Sequence, residues 1–224
     1  MRAEATTNAP SETGADTVAI GIFEGEAIAH DVRANSHRPW VVQLTGESAP
    51  LGTAAWFSAA HELVDDFSRI GAEPHVVVVA CGSGLTLAGL ALGLKHLGSR
   101  TRVLGFSVQQ PASRLLPWVI DVAERTARRL EIATRLTAED LTIVGDQIGP
   151  GYGVATPAAL DAVALAGQSE ALVLDPIYTG KAFAGLAASA RSGALGANAS
   201  AVFLHSGGTP GLFANAPAFA ELFS

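Results

Sequence analysis

Two tyrosines and one glycine-rich turn are the parts of this chain whose types and spacing can do chemistry. Val76–Gly89 reads VVVVACGSGLTLAG, a run of four valines joined to a helix-forming segment through Gly82, Ser83 and Gly84. A strand that ends in glycines and passes at once into a helix leaves the first helical amides without partners. Those amides seat an anion, most often a phosphate. No Gly-Lys-Ser/Thr follows, so the loop is not that of a nucleoside-triphosphate binder. A dinucleotide fold needs G-x-G-x-x-G and an acidic residue closing the next strand. Here the glycines fall at 82, 84 and 89, and the next strand, Thr101–Val108, runs into Gln109 and Gln110. A lone phosphate on a small cofactor suits these residues; the competing reading is a turn that binds nothing.

The two tyrosines are the only ones in the chain, and both sit in loops marked by glycine and proline. Tyr152 lies in GPGYGVATP (Gly149–Pro157) and Tyr178 in LDPIYTGKAFAG (Leu174–Gly185). A third loop, HSGGTPGLF (His205–Phe213), follows the last expected strand. Ligands of open parallel sheets collect at the carboxyl ends of the strands, so the three loops should converge on the turn after Val76–Ala80. A phosphate seat, two phenols and a hydroxyl-bearing Gly-Gly loop around one crevice read as a cofactor site.

The elements that must position these loops alternate in type. Strands are expected at Trp40–Leu44, Val76–Ala80, Thr101–Val108, Leu141–Val144 and Ala201–His205. Helices are expected at Thr53–Ile70, Leu85–Leu97, about Leu116 to Thr134, Pro157–Ala166 and Gly180–Arg191. Phe57, Leu63, Val64 and Phe67 fall on one face of the first of these helices. Arg125, Arg128 and Arg129 alternate with Glu124 and Glu131 and read as a solvated face rather than an anion site. Such alternation predicts an α/β fold with a parallel, helix-covered sheet.

Composition narrows the classes. The chain has 224 residues, 49% of them hydrophobic, and a net charge of −7, which argues against nucleic acid or an anionic membrane surface as partner. Its one cysteine, Cys81, excludes an internal disulfide and reads as a small buried side chain in a cytoplasmic protein. No apolar run reaches membrane-spanning length. Met1–Asp16 lacks the order of a signal peptide and reads as a disordered polar leader.

Five segments resemble the family of pyridoxal-phosphate enzymes that contains D-cysteine desulfhydrase and 1-aminocyclopropane-1-carboxylate (ACC) deaminase. They are ESAPLG (Glu47–Gly52), CGSGLTLAGL (Cys81–Leu90), GPGYGVAT (Gly149–Thr156), LDPIYTGKAFAGL (Leu174–Leu186) and HSGGTPGLF (His205–Phe213), in the family's order. The resemblance implies a three-layer, mostly parallel sheet with helices on both faces, like the large domain of the tryptophan synthase β chain. It divides the chain into a leader at 1–16, a remnant of a small domain or linker at 17–38, and a cofactor-binding large domain at 39–224. Gly82, Ser83, Gly84, Leu85 and Thr86 would hold the cofactor phosphate, chiefly through backbone amides. Leu85 departs from the small residue usual there. Tyr178 would lie against the cofactor ring and, with Tyr152, handle a proton at the substrate. Thr179 would meet the pyridine nitrogen, and Ser206 stands where the family usually carries threonine. The cyclopropane deaminases carry a glutamate at the Thr179 position, and a hydroxyl cannot keep a pyridinium protonated. Thr179 therefore points to a desulfhydrase-like lyase that takes D-cysteine to pyruvate, sulfide and ammonia.

The family holds its cofactor as a Schiff base on a lysine near the N-terminus of the full-length chain. Only Lys95 and Lys181 are present here, and neither matches that position. Three readings follow: the C-terminal portion of a lyase completed by a separate N-terminal half, a relative that binds pyridoxal phosphate or another small phosphate non-covalently without catalysis, or a scaffold that has lost the ligand. Loss of the family's N-terminal segment would bare apolar surface, so a homo-oligomer or a second chain is the expected partner.

Overall fold

Four consecutive valines cannot alternate between core and water, so the strand they form has to be covered on both sides. The computed structural model of the chain describes residues 5–6, 17–21, 25–43 and 46–220. It divides into two compact units, Met1–Gly52 and Thr53–Ser224.

In the first unit, β1 (Ala5–Thr6) pairs antiparallel with β2 (Thr17–Gly21), and β2 pairs in parallel with β3 (Pro39–Gln43). Helix α1 (Gly25–Ala34) links β2 to β3. The boundary expected between residues 38 and 39 thus moves to Gly52. Because β3 is laid beside β2, with Val18 opposite Trp40 and Ile20 opposite Val42, it belongs to the smaller sheet. Apart from Ala5–Thr6, the polar leader expected at 1–16 lies outside the described residues.

The second unit holds a four-stranded, wholly parallel sheet in the order β6-β5-β4-β7. Its strands are β4 (Val76–Cys81), β5 (Arg102–Ser107), β6 (Thr142–Val144) and β7 (Ala201–Phe203). Every residue of β4 is buried. Val76, Val78 and Ala80 pack with Leu104, Phe106 and Ala182, the last from α6 (Thr179–Arg191). On the opposite face, Cys81 and Leu87 of α3 (Leu85–His96) meet at Gly105, which leaves room for both. The α/β fold with helices over both faces is therefore as expected.

Close approach sets the layers. Gly89 and Gly93 put one flat side of α3 against Thr53, Phe57 and Ala60 of α2 (Ala49–Ile70). Gly185 of α6 lies flat on the ring of Phe106. Of the four core positions expected on α2, Phe57 and Phe67 are buried while Leu63 and Val64 are half-buried.

Several boundaries differ from expectation for local reasons. Helix α4 (Ala112–Arg129) starts directly after Pro111 and carries Pro117 in its second turn. It ends where Glu131 takes a left-handed φ of 55°. Two of its arginines are paired along its own face, Arg125 with Asp121 and Arg128 with Glu124. Helix α5 (Pro157–Glu170) begins on a Thr156 cap, whose hydroxyl accepts the Ala159 amide at 3.2 Å. Two short helices, α7 (Thr209–Ala214) and α8 (Ala216–Ala220), end the described chain. No helix among the described residues is long and apolar enough to cross a membrane.

Candidate cofactor site

The parallel register of the sheet sends the segments after β4, β5, β6 and β7 to one edge, among them the turn at 82–84, the Tyr152 loop and the loop from His205, while the Tyr178 loop follows α5. Gly84 is the N-cap of α3 with φ 85° and ψ −4°, a left-handed conformation that glycine adopts at little cost. A Cβ there would stand 2.8 Å from Val119 Cγ2 and 3.2 Å from Leu115 Cδ1. No side chain caps α3, and no acidic residue lies in its first turn. The positive end of this helix is therefore left for an outside anion. Trp118 Nε1 donates to the Ser83 carbonyl at 2.8 Å and holds the loop against α4. Ser83, Leu85 and Thr86 are half-buried, and Gly84 is buried.

Tyr178 lies on top of this turn. A Cβ on Gly82 would come 3.1 Å from Tyr178 Cε1, so Gly82 is the floor on which the ring rests. The phenol oxygens of Tyr178 and Tyr152 share a short hydrogen bond, and the two rings meet edge to face with centroids 6.0 Å apart. Burial pushes the Tyr178 phenol well above its ordinary range; the hydrogen bond and charge of Tyr152 and the charge of Asp175 push the same way. The two tyrosines expected to act together are thus brought together, next to the uncapped helix.

Asp175 was not anticipated, and it shapes this end of the site. Its carboxylate is 1% exposed and accepts four hydrogen bonds. The amides of Ile177, Tyr178 and Thr179 donate at 2.9, 2.8 and 2.9 Å, and the Thr179 hydroxyl at 2.7 Å. Together they close the turn that presents Tyr178 at the start of α6. Gly208, with φ 95°, leaves no space between its own Cα and this carboxylate. The loop from His205 is thereby packed on the same turn. The sequence signal was present in Asp175-Pro176, a pair that favours turns in which the aspartate binds its own backbone.

Thr179, expected at the pyridine nitrogen, is tied to Asp175 in this structure. It is fully buried, its proton goes to Asp175 Oδ1, and its oxygen accepts the Asp175 amide at 2.9 Å. A hydroxyl with its one proton committed in this way does not donate to a pyridine nitrogen. Ser206 lies exposed in the loop after β7. Beside it, His205 Nε2 is 2.8 Å from the Val173 carbonyl and its Nδ1 accepts the Gly207 amide at 3.3 Å. These contacts require the tautomer with the proton on Nε2.

Neither lysine is free. Lys95 holds both Asp140 oxygens at 2.8 and 2.7 Å, in the last turn of α3. Lys181 is fully buried and donates to the carbonyl of Ile148 at 2.7 Å and, more loosely, that of Gly151 at 3.4 Å. Cys81 is a buried thiol that desolvation pushes up to about 12, an inert core residue as expected. The turn at 82–86 thus fits a phosphate with an aromatic ring beside it, while no amine of the two lysines stands ready for a covalent bond.

The model of a family described as pyridoxal-phosphate dependent enzymes matches residues 5–207. Among solved structures, an ACC deaminase homologue superposes with a TM-score of 0.75 at 30% identity, over 88% of this chain and 58% of that one. A threonine deaminase from T.th. gives a TM-score of 0.51 at 24% identity, over 80% of this chain and 57% of that one. A fungal L-serine ammonia-lyase from Rhizomucor miehei gives 0.54 at 14% identity, over 88% and 65%. The last two speak for the fold alone. This chain spans less than two thirds of the length of each of the three.

Proposed function

Because the chain belongs to the pyridoxal-phosphate-dependent enzyme family, we propose that it forms the cofactor-binding part of a lyase or deaminase of small amino acids, of the D-cysteine desulfhydrase kind. The observation that carries this reading is the Tyr178 ring seated on Gly82, bonded to Tyr152, beside the uncapped N-terminus of α3. The amides from Gly82 to Thr86, with the Ser83 and Thr86 hydroxyls, hold the phosphate. Pyridoxal phosphate, when bound, supplies an electron sink for the charge left as a proton leaves the substrate's α-carbon.

The chain's own residues do the rest. With its phenol held above the ordinary range, Tyr178 stays protonated at neutral pH and acts as a proton donor. Tyr152, hydrogen-bonded to it, passes the proton on or takes it back. Thr179 supports a sulfur substrate by what it is not. It supplies no carboxylate for a pyridinium, and its hydroxyl is committed to Asp175. Expelling a thiol from a β-carbon demands less carbanion stabilisation than opening a carbon ring, so D-cysteine fits this site better than a cyclopropane amino acid.

With Lys95 and Lys181 both engaged, the chain by itself holds the cofactor non-covalently. Turnover then needs a lysine that neither of these two positions supplies. The test is release of sulfide and pyruvate from D-cysteine, against 2-oxobutyrate from ACC, with pyridoxal phosphate present. The chain alone should turn over neither, and adding a lysine-bearing N-terminal half should give D-cysteine activity first. A preference for ACC would overturn the substrate assignment, and a Tyr178→Phe enzyme with undiminished turnover would end the proton role of the phenol.

A further inference from the structure

Lys181 is the buried cation that the reading above leaves without a task. Its side chain is fully enclosed, and no carboxylate among the described residues pairs with it. An unpaired ammonium in the interior costs several kcal/mol in order-of-magnitude terms unless its hydrogens are well used. Here they point at main-chain carbonyls of one segment only, Ile148 at 2.7 Å and Gly151 at 3.4 Å. That segment is the approach to Tyr152. It follows β6 through Gly145–Gln147, contains Gly149 with φ 68°, and has Gly153 with φ 78° on its far side. A loop of this composition has many conformations, and holding one of them requires a tether. Lys181 itself is anchored on α6, in the first turn after Tyr178. One short helical segment therefore carries Tyr178 and grips the loop of Tyr152.

We propose that Lys181 is a positioning residue that ties the Tyr152 loop to α6 and thereby sets the hydrogen bond between the two phenols. The inference rests on the reading of the tyrosines as the proton-handling pair, but its test does not need turnover. Burial lowers the affinity of the Lys181 amine for its proton, and the neutral amine can still donate to the Ile148 carbonyl, so the tether survives deprotonation. Its environment supports this: the facing groups are the carbonyls of Ile148 and Gly151, with no ionised side chain among the described residues paired to it.

The chain has two tyrosines and two lysines, so spectroscopic signals assign themselves. Phenolate absorbance near 295 nm, followed against pH on the purified chain, is expected to show a step that resists ionisation in the native protein; its loss in Tyr178→Phe identifies it as that of Tyr178. In Lys181→Met, which keeps the length and loses the donor, the resistant step should fall by roughly one pH unit or more as the bond to Tyr152 is lost. Lys181→Gln, which keeps an N–H donor, should recover part of the shift. A Lys181→Met titration that superimposes on the wild type would overturn the inference, even if the variant is less heat-stable. Should Lys181→Met fail to fold, the wild type decides through its lysine Nζ protons. Lys181 protons that exchange with water more slowly than those of half-exposed Lys95 support the tether, and equally fast exchange refutes it. Undiminished turnover in Tyr178→Phe would end the proton reading and leave the tether standing, so the two failures are distinguishable.

Discussion

Replacing Asp175 with asparagine changes one atom and tests what holds Tyr178 in place. The carboxylate oxygens divide four donors between them, Oδ2 taking the amides of Ile177 and Tyr178 and Oδ1 taking the amide and hydroxyl of Thr179. An amide side chain must turn its NH2 toward one of these pairs. If it replaces Oδ2, two backbone N–H groups face a donor. If it replaces Oδ1, the Thr179 hydroxyl can rotate to accept, but the Thr179 amide is stranded. At least one buried N–H is thus left without a partner, at a cost of about 1–3 kcal/mol, and the surviving bonds lose the assistance of a full charge. A total of about 2–4 kcal/mol follows, which for a domain of this size lowers Tm by roughly 5–15 °C. The assay is thermal or urea unfolding followed by tryptophan fluorescence, with phenolate absorbance on the same samples. Asp175→Asn should both destabilise the chain and let Tyr178 ionise at lower pH, since its ring is released and the negative charge beside it is gone. A variant within about 0.5 kcal/mol of the wild type, the range of an ordinary surface change, would refute the reasoning.

Three other perturbations have definite outcomes. Gly84→Ala places a Cβ 2.8 Å from Val119 Cγ2 at a φ of 85°, so affinity for pyridoxal phosphate should fall at least about tenfold as the seat deforms; titration calorimetry against the wild type measures it. Thr53 has a fully buried hydroxyl without a hydrogen-bond partner, so Thr53→Val, nearly its equal in shape, should raise stability by about 1 kcal/mol in urea unfolding. Tyr178 has its pKa raised on folding, so its contribution is complete below the unfolded phenol's value and is lost as pH rises through the folded one. Unfolding free energy should therefore carry a decline that begins above about pH 10 and belongs to the unfolded phenol's ionisation, and Tyr178→Phe should remove that part of it.

The parts of the site legible in the sequence are those whose residue type implies a backbone shape. Val76–Val79 could only be a strand covered twice, and Gly82 and Gly84 could only be a tight turn, so the turn that opens α3 was readable before any fold was known. The tyrosines were readable because each lay alone among glycines and prolines. What escaped was the choice of partner. Thr179 has the right hydroxyl for a ring nitrogen, but the carboxylate four residues back reaches it first. Asp175 gave only a turn signal, and nothing in Asp-Pro says that four donors will converge on it. Lys181 looked like a motif residue on a helix, and only the folded chain brings the Ile148 carbonyl to its Nζ. The unit boundary was hidden for the same reason, since pairing of β3 with β2 is a non-local event that local patterning cannot express. Helix α7 was read as loop because Gly208 and Pro210 look like breakers, though glycine before and proline within the first turn are also how a helix begins.

Every functional statement about this chain depends on whether the turn at 82–86 seats the phosphate of pyridoxal phosphate with no covalent bond to the protein. The direct measurement is to load the purified chain with the cofactor, desalt it, record its absorbance, reduce with borohydride and take the intact mass. Retained cofactor that is displaced by inorganic phosphate, and an unchanged protein mass after reduction, is the expected result. Failure to retain any cofactor, or a mass increase fixed on Lys95 or Lys181, would contradict it.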